Sequence, residues 1–317
     1  MRPGGALRAD DPRLERLEFD IRGVRIHAVA AGPPDGPLIV LLHGFPEFWY
    51  GWRHQILPLA EEGFRVVAPD QRGYNGSGKP DGVAAYHLDE LAADVAALVE
   101  ACGRDSADVV GHDWGGLVAW WTAIKHPERV RRLAVLNAPH PIAARKYMKR
   151  HWSQLLRSSY IGFFQIPRLP DRLLSRRGFV PVERAMVRSA PPEIFRPHDL
   201  KAYREAWSQP GALTAMLNWY RALRKLRGRG IDLRVRQKTL IVWGDRDRFL
   251  EFGLAEASAR FCDDARIVRI ERASHWLQHE RPRRVNAELL ALLGEDPPTS
   301  AAGEQSDSTQ PASGAQS

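Results

Sequence analysis

Asp113 stands at the centre of Gly111-His112-Asp113-Trp114-Gly115-Gly116, directly after the short apolar run Asp108 to Val110 and ahead of a helical stretch. This is G-x-nucleophile-x-G at a strand-to-helix turn, with a carboxylate in the central place. The spacing has a physical cause: a strained turn that thrusts out its central side chain leaves no room for side chains two positions either side. Glycines between strand and helix are also common in α/β folds, and the hexapeptide alone leaves that plainer reading open. A carboxylate is badly suited to acyl transfer from esters, because the product would be a labile mixed anhydride. It suits displacement at saturated carbon, giving an alkyl ester of Asp113 that water then cleaves. Epoxides and alkyl halides are the natural electrophiles. Cleaving the ester requires a base to activate water and donors for the oxyanion that forms at the Asp113 carboxyl carbon. The backbone N–H groups of Trp114 and of Phe45, in the loop after Leu38 to Leu42, are available by position.

The elements around Asp113 must hold it at the end of a buried strand. Leu38 to Leu42, Arg65 to Ala68, Asp108 to Gly111 and Leu133 to Leu136 are short apolar runs, as expected of parallel strands buried on both faces. Amphipathic stretches lie between them, notably Leu88 to Cys102 and Leu117 to Lys125, the latter stopped by His126-Pro127. Leu14 to Ala31 alternates about an Asp20 to Gly23 turn and predicts an N-terminal hairpin. From Ala143 to about Lys238 the strand signals give way to helical, Pro-broken, Arg-rich sequence; they resume at Thr239 to Trp243 and Ala265 to Ile270, before a last helix around Arg284 to Leu293. The fold class expected is α/β, a mostly parallel doubly wound sheet interrupted by a helical cap, with ligands bound beyond the carboxyl ends of the strands. The boundaries are 1–141 for the first part of the core, 142–238 for the cap, 239–295 for the second part and 296–317 for a disordered tail poor in apolar residues.

Six ordered segments carry a resemblance to the α/β-hydrolases, and among them to the soluble epoxide hydrolases, over nearly all of Leu14 to Leu293. They are His43-Gly-Phe-Pro-Glu-Phe-Trp-Tyr-Gly-Trp52, Ala68-Pro-Asp-Gln-Arg-Gly-Tyr-Asn75, Gly111 to Gly116, Leu136-Asn-Ala-Pro-His-Pro141, Val242-Trp-Gly-Asp-Arg-Asp247 and Ser274-His-Trp276. The resemblance implies a chain order of nucleophile, acid, histidine, hence Asp113, Asp247 and His275. Asp245 is the alternative acid. His279 is the alternative base, but is expected on the surface at the opening of the last helix. Ser274 replaces the usual Gly before the histidine and would be strained if its φ were positive. Phe45-Pro46 is implied to be a cis bond. Opening an epoxide needs a neutral donor at the leaving oxygen, and a phenol suits this. The family places two cap tyrosines there; Tyr160, in Ser159-Tyr-Ile-Gly-Phe-Phe-Gln-Ile-Pro167, and Tyr220, in Asn218-Trp-Tyr-Arg221, match. Tyr147 and Tyr203 match no motif and are read as packing residues. Phe48, Trp49, Trp52, Trp114, Phe163 and Phe164 are expected in the pocket wall, although most could equally be core.

The expected function is therefore conversion of epoxides to vicinal diols through an ester on Asp113, with a small apolar epoxide and water as partners. Haloalkane dehalogenase is the alternative, but that family holds halide with an Asn after His-Gly or a cap Trp, and Phe45 fills the first of those places. Fluoroacetate dehalogenases carry Arg where Trp114 stands, and a serine esterase is excluded by Asp113. A binding protein that kept the fold would be expected to lose one of these groups.

With 317 residues, 44% hydrophobic and 26% charged, the chain can bury a large core, and no repeat is present. Two cysteines, Cys102 and Cys262, fit neither a disulfide framework nor a metal site, and no signal peptide or membrane span is apparent, so a cytoplasmic location is expected. No metal constellation or phosphate-binding loop is found, and no cofactor is expected. The net charge is +8, but residues 141–238 hold 22 Lys and Arg against 6 Asp and Glu, so the rest of the chain carries −8. Nucleic acid has no support beyond net charge. Arginines interleaved with apolar residues, as in Arg221 to Arg227, predict a solvated helix face, with a membrane-surface or acidic-ligand role as the alternative. Oligomeric state is not readable from the sequence.

Overall fold

The computed structural model describes residues 7–223 and 231–294. Residues 296–317, expected to be a tail, and Arg224, Lys225 and Arg227 of the basic stretch lie outside the described residues. Eight strands form one sheet in the order β1-β2-β4-β3-β5-β6-β7-β8. They are β1 (Glu15–Ile21), β2 (Val24–Ala31), β3 (Leu38–Leu42), β4 (Arg65–Pro69), β5 (Ala107–His112), β6 (Val130–Leu136), β7 (Lys238–Gly244) and β8 (Ala265–Ile270). The first two form the predicted hairpin, with Arg22 and Gly23 both at positive φ (55° and 77°), as a two-residue turn matched to strand twist requires. β2 joins β4 antiparallel; every pairing from β4 through β8 is parallel.

Strands β3 and β5 are buried along their whole length, which is why they read as unbroken apolar runs. β6 begins earlier than its apolar signal, because the charges at its start have a partner. The Arg131 guanidinium donates twice to the buried Asp108 carboxylate, and Arg132 lies 3.7 Å from the same group. Helices α1 (Ile56–Glu61), α2 (Leu88–Ala101) and α3 (Trp114–Lys125) follow β3, β4 and β5. Between β6 and β7 come α4 (Pro141–Met148), α5 (Trp152–Arg157), α6 (Ser159–Phe164), α7 (Leu169–Leu174), α8 (Arg176–Ser189), α9 (Pro197–Trp207) and α10 (Ala212–Ala222). α8 is broken at Arg177 to Phe179, all at positive φ. α11 (Gly253–Ala259), α12 (Leu277–Glu280) and α13 (Pro282–Gly294) complete the chain. α1 and α13 pack together over one face of the sheet, α2 against α3 over the other.

Register brings the strand ends into line. Leu42 of β3 pairs with Gly111, His112 with Leu136, Leu136 with Val242, and Gly244 with Ile270. The loops that begin at His43, Asp113, Asn137, Asp245 and Glu271 therefore all emerge on one edge of the sheet. This is the edge where a ligand binds in an open parallel sheet.

Candidate active site

Asp113 is the N-cap of α3, with φ 51° and ψ −119°, a conformation that costs about 1–3 kcal/mol in an L-residue. Its neighbours keep it there by close approach. A Cβ on Gly115 would lie 2.1 Å from the Leu42 carbonyl oxygen, one on Gly116 would lie 2.2 Å from the Ala138 Cβ, and one on Gly44 would lie 2.5 Å from the Asp113 Cβ. The turn thus exists because three chain segments touch where these glycines stand.

The carboxylate has two different environments. Its Oδ1 accepts the Phe45 N–H at 2.8 Å, and its Oδ2 faces His275 Nε2 at 3.4 Å. The Phe45–Pro46 bond is cis. Trp114 opens α3, so its N–H has no acceptor within the helix. On the other side of the imidazole, His275 Nδ1 and Asp247 Oδ2 are 2.7 Å apart. Asp247 is fixed in turn by the N–H groups of Phe249 and Leu250, which donate to Oδ1 at 2.7 and 3.0 Å. Asp245 instead accepts the Arg272 N–H at 2.7 Å, away from the imidazole. Burial alone would depress the His275 pKa, but the Asp247 and Asp113 carboxylates on its two sides raise it to about 10. For Asp113 burial acts upward, and the hydrogen bond and charge of His275 bring its carboxyl below the ordinary range.

Asn137 ties the strand ends to the histidine loop. Its side-chain amide donates to the Ser274 carbonyl at 3.0 Å and its Oδ1 accepts the Gly244 N–H at 2.8 Å. Gly244 leaves the space for this, since a Cβ there would be 2.4 Å from the Ser274 oxygen. Ser274 has no positive φ, so no strain attends the serine; its N–H donates to Glu280 Oε2 at 3.0 Å and its hydroxyl to Glu280 Oε1.

Tyr160 in α6 and Tyr220 in α10 come together over Asp113, their ring centroids 6.0 Å apart. Tyr220 meets Phe45, Phe164 and Trp114 edge-on at 5.2, 4.9 and 4.9 Å. Burial above all, with the Asp113 carboxylate adding to it, raises both phenols above their ordinary value, so both are neutral donors. Asp113, Trp114, Tyr160 and Tyr220 line a cavity of about 1040 Å³, walled by Leu117, Ile142 and Leu250 among others. A separate cleft near Gln165 and Asp171 holds none of these groups.

Other expected wall residues sit elsewhere. Phe48, Trp49 and Trp52 are 4%, 1% and 1% exposed and belong to the core: Phe48 packs on Tyr203, and the Trp49 N–H donates to Asp70. Phe163 and Phe164 are not in the cavity lining either; Phe164 instead backs the Tyr160 and Tyr220 rings. His279 is not on the surface but buried, its Nε2 2.8 Å from Glu47 Oε1 and its Nδ1 3.0 Å from Arg53. Tyr203 is more than packing, since its hydroxyl donates to Glu47 at 2.5 Å. Glu47 also lies 3.4 Å from His112, whose Nε2 is 2.8 Å from the His275 carbonyl oxygen. This buried polar cluster is not foreseen from the sequence, although Glu47 sits in the His43 to Trp52 segment and His112 beside Asp113. Nothing in either motif announces that a charge will be buried against partners 150 residues or more away in the chain.

A model of the alpha/beta hydrolase fold family matches residues 37–282. AB hydrolase superfamily protein YfhM of Bacillus subtilis is 46% identical over 274 residues, 86% of this chain and 95% of that one. Epoxide hydrolase 4 of Mus musculus is 40% identical over 284 residues, 86% of this chain and 77% of its own. The crystal structure of an epoxide hydrolase from Bacillus megaterium, in complex with an inhibitor, superposes with a TM-score of 0.81 at 30% identity, covering 88% of this chain and 100% of that one. Fold, order of segments and these likenesses agree, and the chain belongs to the epoxide hydrolase family of the α/β-hydrolase fold.

Proposed function

We propose that this protein hydrolyses epoxides to vicinal diols through a covalent ester on Asp113. The observation that carries the reading is the asymmetric carboxylate: one oxygen held by the Phe45 N–H, the other facing both His275 and the cavity that the two phenols share. Asp113 Oδ2 forms a bond to an epoxide carbon, the ring C–O bond breaks, and the ring oxygen takes a proton from Tyr160 or Tyr220. Spending the Asp113 charge in the ester removes one of the two anions that hold the His275 proton; that proton passes to the tyrosinate left by the first step, which restores the phenol, and the imidazole becomes a base. It takes a proton from water, and the hydroxide attacks the carboxyl carbon of Asp113. The N–H groups of Phe45 and Trp114 receive the oxyanion and Asp247 steadies the imidazolium; collapse breaks the bond to the alkyl oxygen, which takes the proton of the new Asp113 carboxyl group, so the diol leaves with Asp113 ionised and His275 protonated as at the start.

A halide-releasing reading is disfavoured by where the tryptophan donors of the helical segment go. Trp207 Nε1 donates to the Pro46 carbonyl at 2.6 Å, Trp219 Nε1 to the Arg72 carbonyl at 3.0 Å, and Trp152 is 75% exposed. Helices α4 to α10, in the stretch expected at 142–238, serve as the cap, and the sheet with its flanking helices serves as the catalytic core. A cofactor has no part in this scheme. A single turnover in ¹⁸O-water tests it: the label should enter the Asp113 carboxylate and not the first diol. Label in the first diol would mean direct attack of water on the epoxide and would refute the ester.

A further inference from the structure

Helix α5 is turned inside out. Its one buried side chain is Gln154, which donates to the Phe249 carbonyl at 2.8 Å and accepts the Glu251 N–H at 2.8 Å. Its apolar residues Trp152, Leu155 and Leu156, spaced i, i+3, i+4 on one face, point to solvent at 75%, 59% and 62% exposure. Among the described residues the exposed large hydrophobics are, apart from Val83, all between positions 152 and 169, with Ile166 and Leu169 the others. Single exposed leucines are ordinary, but a Trp and two Leu side by side on one short helix mark a contact surface. The segment 295–317 contains no Leu, Ile, Val, Met, Phe or Trp with which to cover it.

The charge beside this face selects its partner. Arg145 and Lys149 are exposed on α4 and the turn after it, Arg150 follows in the same turn, and none has an acidic partner among the described residues. Two copies meeting through α5 would bring these like charges together. An anionic lipid surface would instead receive the cations at its headgroups and the Trp and Leu side chains at the acyl boundary. We propose that the outer face of α5, with the cations of the α4–α5 turn, docks the protein on anionic bilayers. Lys146, Met148 and Lys149 also border the cavity that contains Asp113, so docking sets its mouth against the lipid. That consequence rests on the substrate reading above; the docking does not.

The test is co-sedimentation of the full chain with phosphatidylcholine vesicles, alone or with about a third phosphatidylglycerol, without substrate. The Trp152→Ser, Leu155→Ser, Leu156→Ser triple variant and Arg150→Glu are run beside it, with sedimentation velocity on each protein. Expected is binding to the anionic vesicles about tenfold tighter than to the neutral ones, weakened by salt and by Arg150→Glu, and at least about tenfold weaker in the triple variant. No binding to anionic vesicles, or binding unchanged in both variants, would overturn the proposal. So would self-association of the parent chain that the triple variant abolishes, which would make the face a contact between copies. Turnover of a water-soluble epoxide by the same preparations is read separately, and its absence from parent and variants alike would count against the epoxide reading while leaving the docking result to stand.

Discussion

His275 Nε2 lies 3.4 Å from Asp113 Oδ2 while its Nδ1 is 2.7 Å from Asp247, so one imidazole sits between two carboxylates. The two carboxylates raise the His275 pKa, and the hydrogen bond and charge of His275 hold the Asp113 carboxyl below its ordinary range. In the proposed mechanism, the base that the second step needs comes into being only when the first step has consumed the Asp113 charge.

Replacing Asp113 by Asn separates these effects. Activity should fall by about 10⁴-fold or more, and the His275 pKa should drop below its value of about 10, because one of the two anions that raise it is gone. NMR titration of the imidazole checks this, and an unchanged pKa would mean that Asp113 is electrostatically irrelevant to the histidine. The sign for stability follows from the raised pKa. The His275 contribution is complete below its unfolded value of 6.5 and is lost as pH rises through about 10, so the parent should lose more stability than Asp113→Asn across that window.

Tyr160→Phe and Tyr220→Phe should each lower kcat/KM for epoxides by about 10²-fold, and the double variant should lose most of the remainder. Alkylation of Asp113 by an alkyl halide, which needs no proton donor, should be little changed by either. Equal losses with both electrophiles would indicate that the rings merely shape the cavity.

Tyr203→Phe removes a donor from the buried Glu47, which already faces His279, Gln278 and His112. A destabilisation of about 1–3 kcal/mol is expected in urea unfolding. A variant as stable as the parent would show that the Tyr203 bond adds nothing to this cluster.

Much of this was legible in the residues themselves. The strand runs Leu38 to Leu42 and Ala265 to Ile270 match their strands residue for residue; the first is buried on both faces, and the second interrupts its apolar residues only with the exposed Arg266 and Arg269. The glycines at 111 and 115 announce close approaches that the structure contains. What the sequence hid depends on partners distant in the chain. Arg131 and Arg132 disguise the start of β6 until Asp108 is set beside them, and His279 looks solvent-facing until Glu47 and Arg53 meet it. The aromatic residues of the 48–52 segment read as pocket or core alike, because type and spacing do not say which side of the His43 loop they fill. Much of the cavity wall comes instead from residues such as Leu117, Ile142 and Leu250, which belong to no motif.

The most direct test of the covalent account is intact mass spectrometry of His275→Ala incubated with a mixed panel of epoxides and alkyl halides. The account predicts an adduct on Asp113 equal in mass to a whole epoxide, stable because no base remains to activate water. Adducts from halides alone, with the halogen lost, or no adduct at Asp113 from a broad panel, would contradict it.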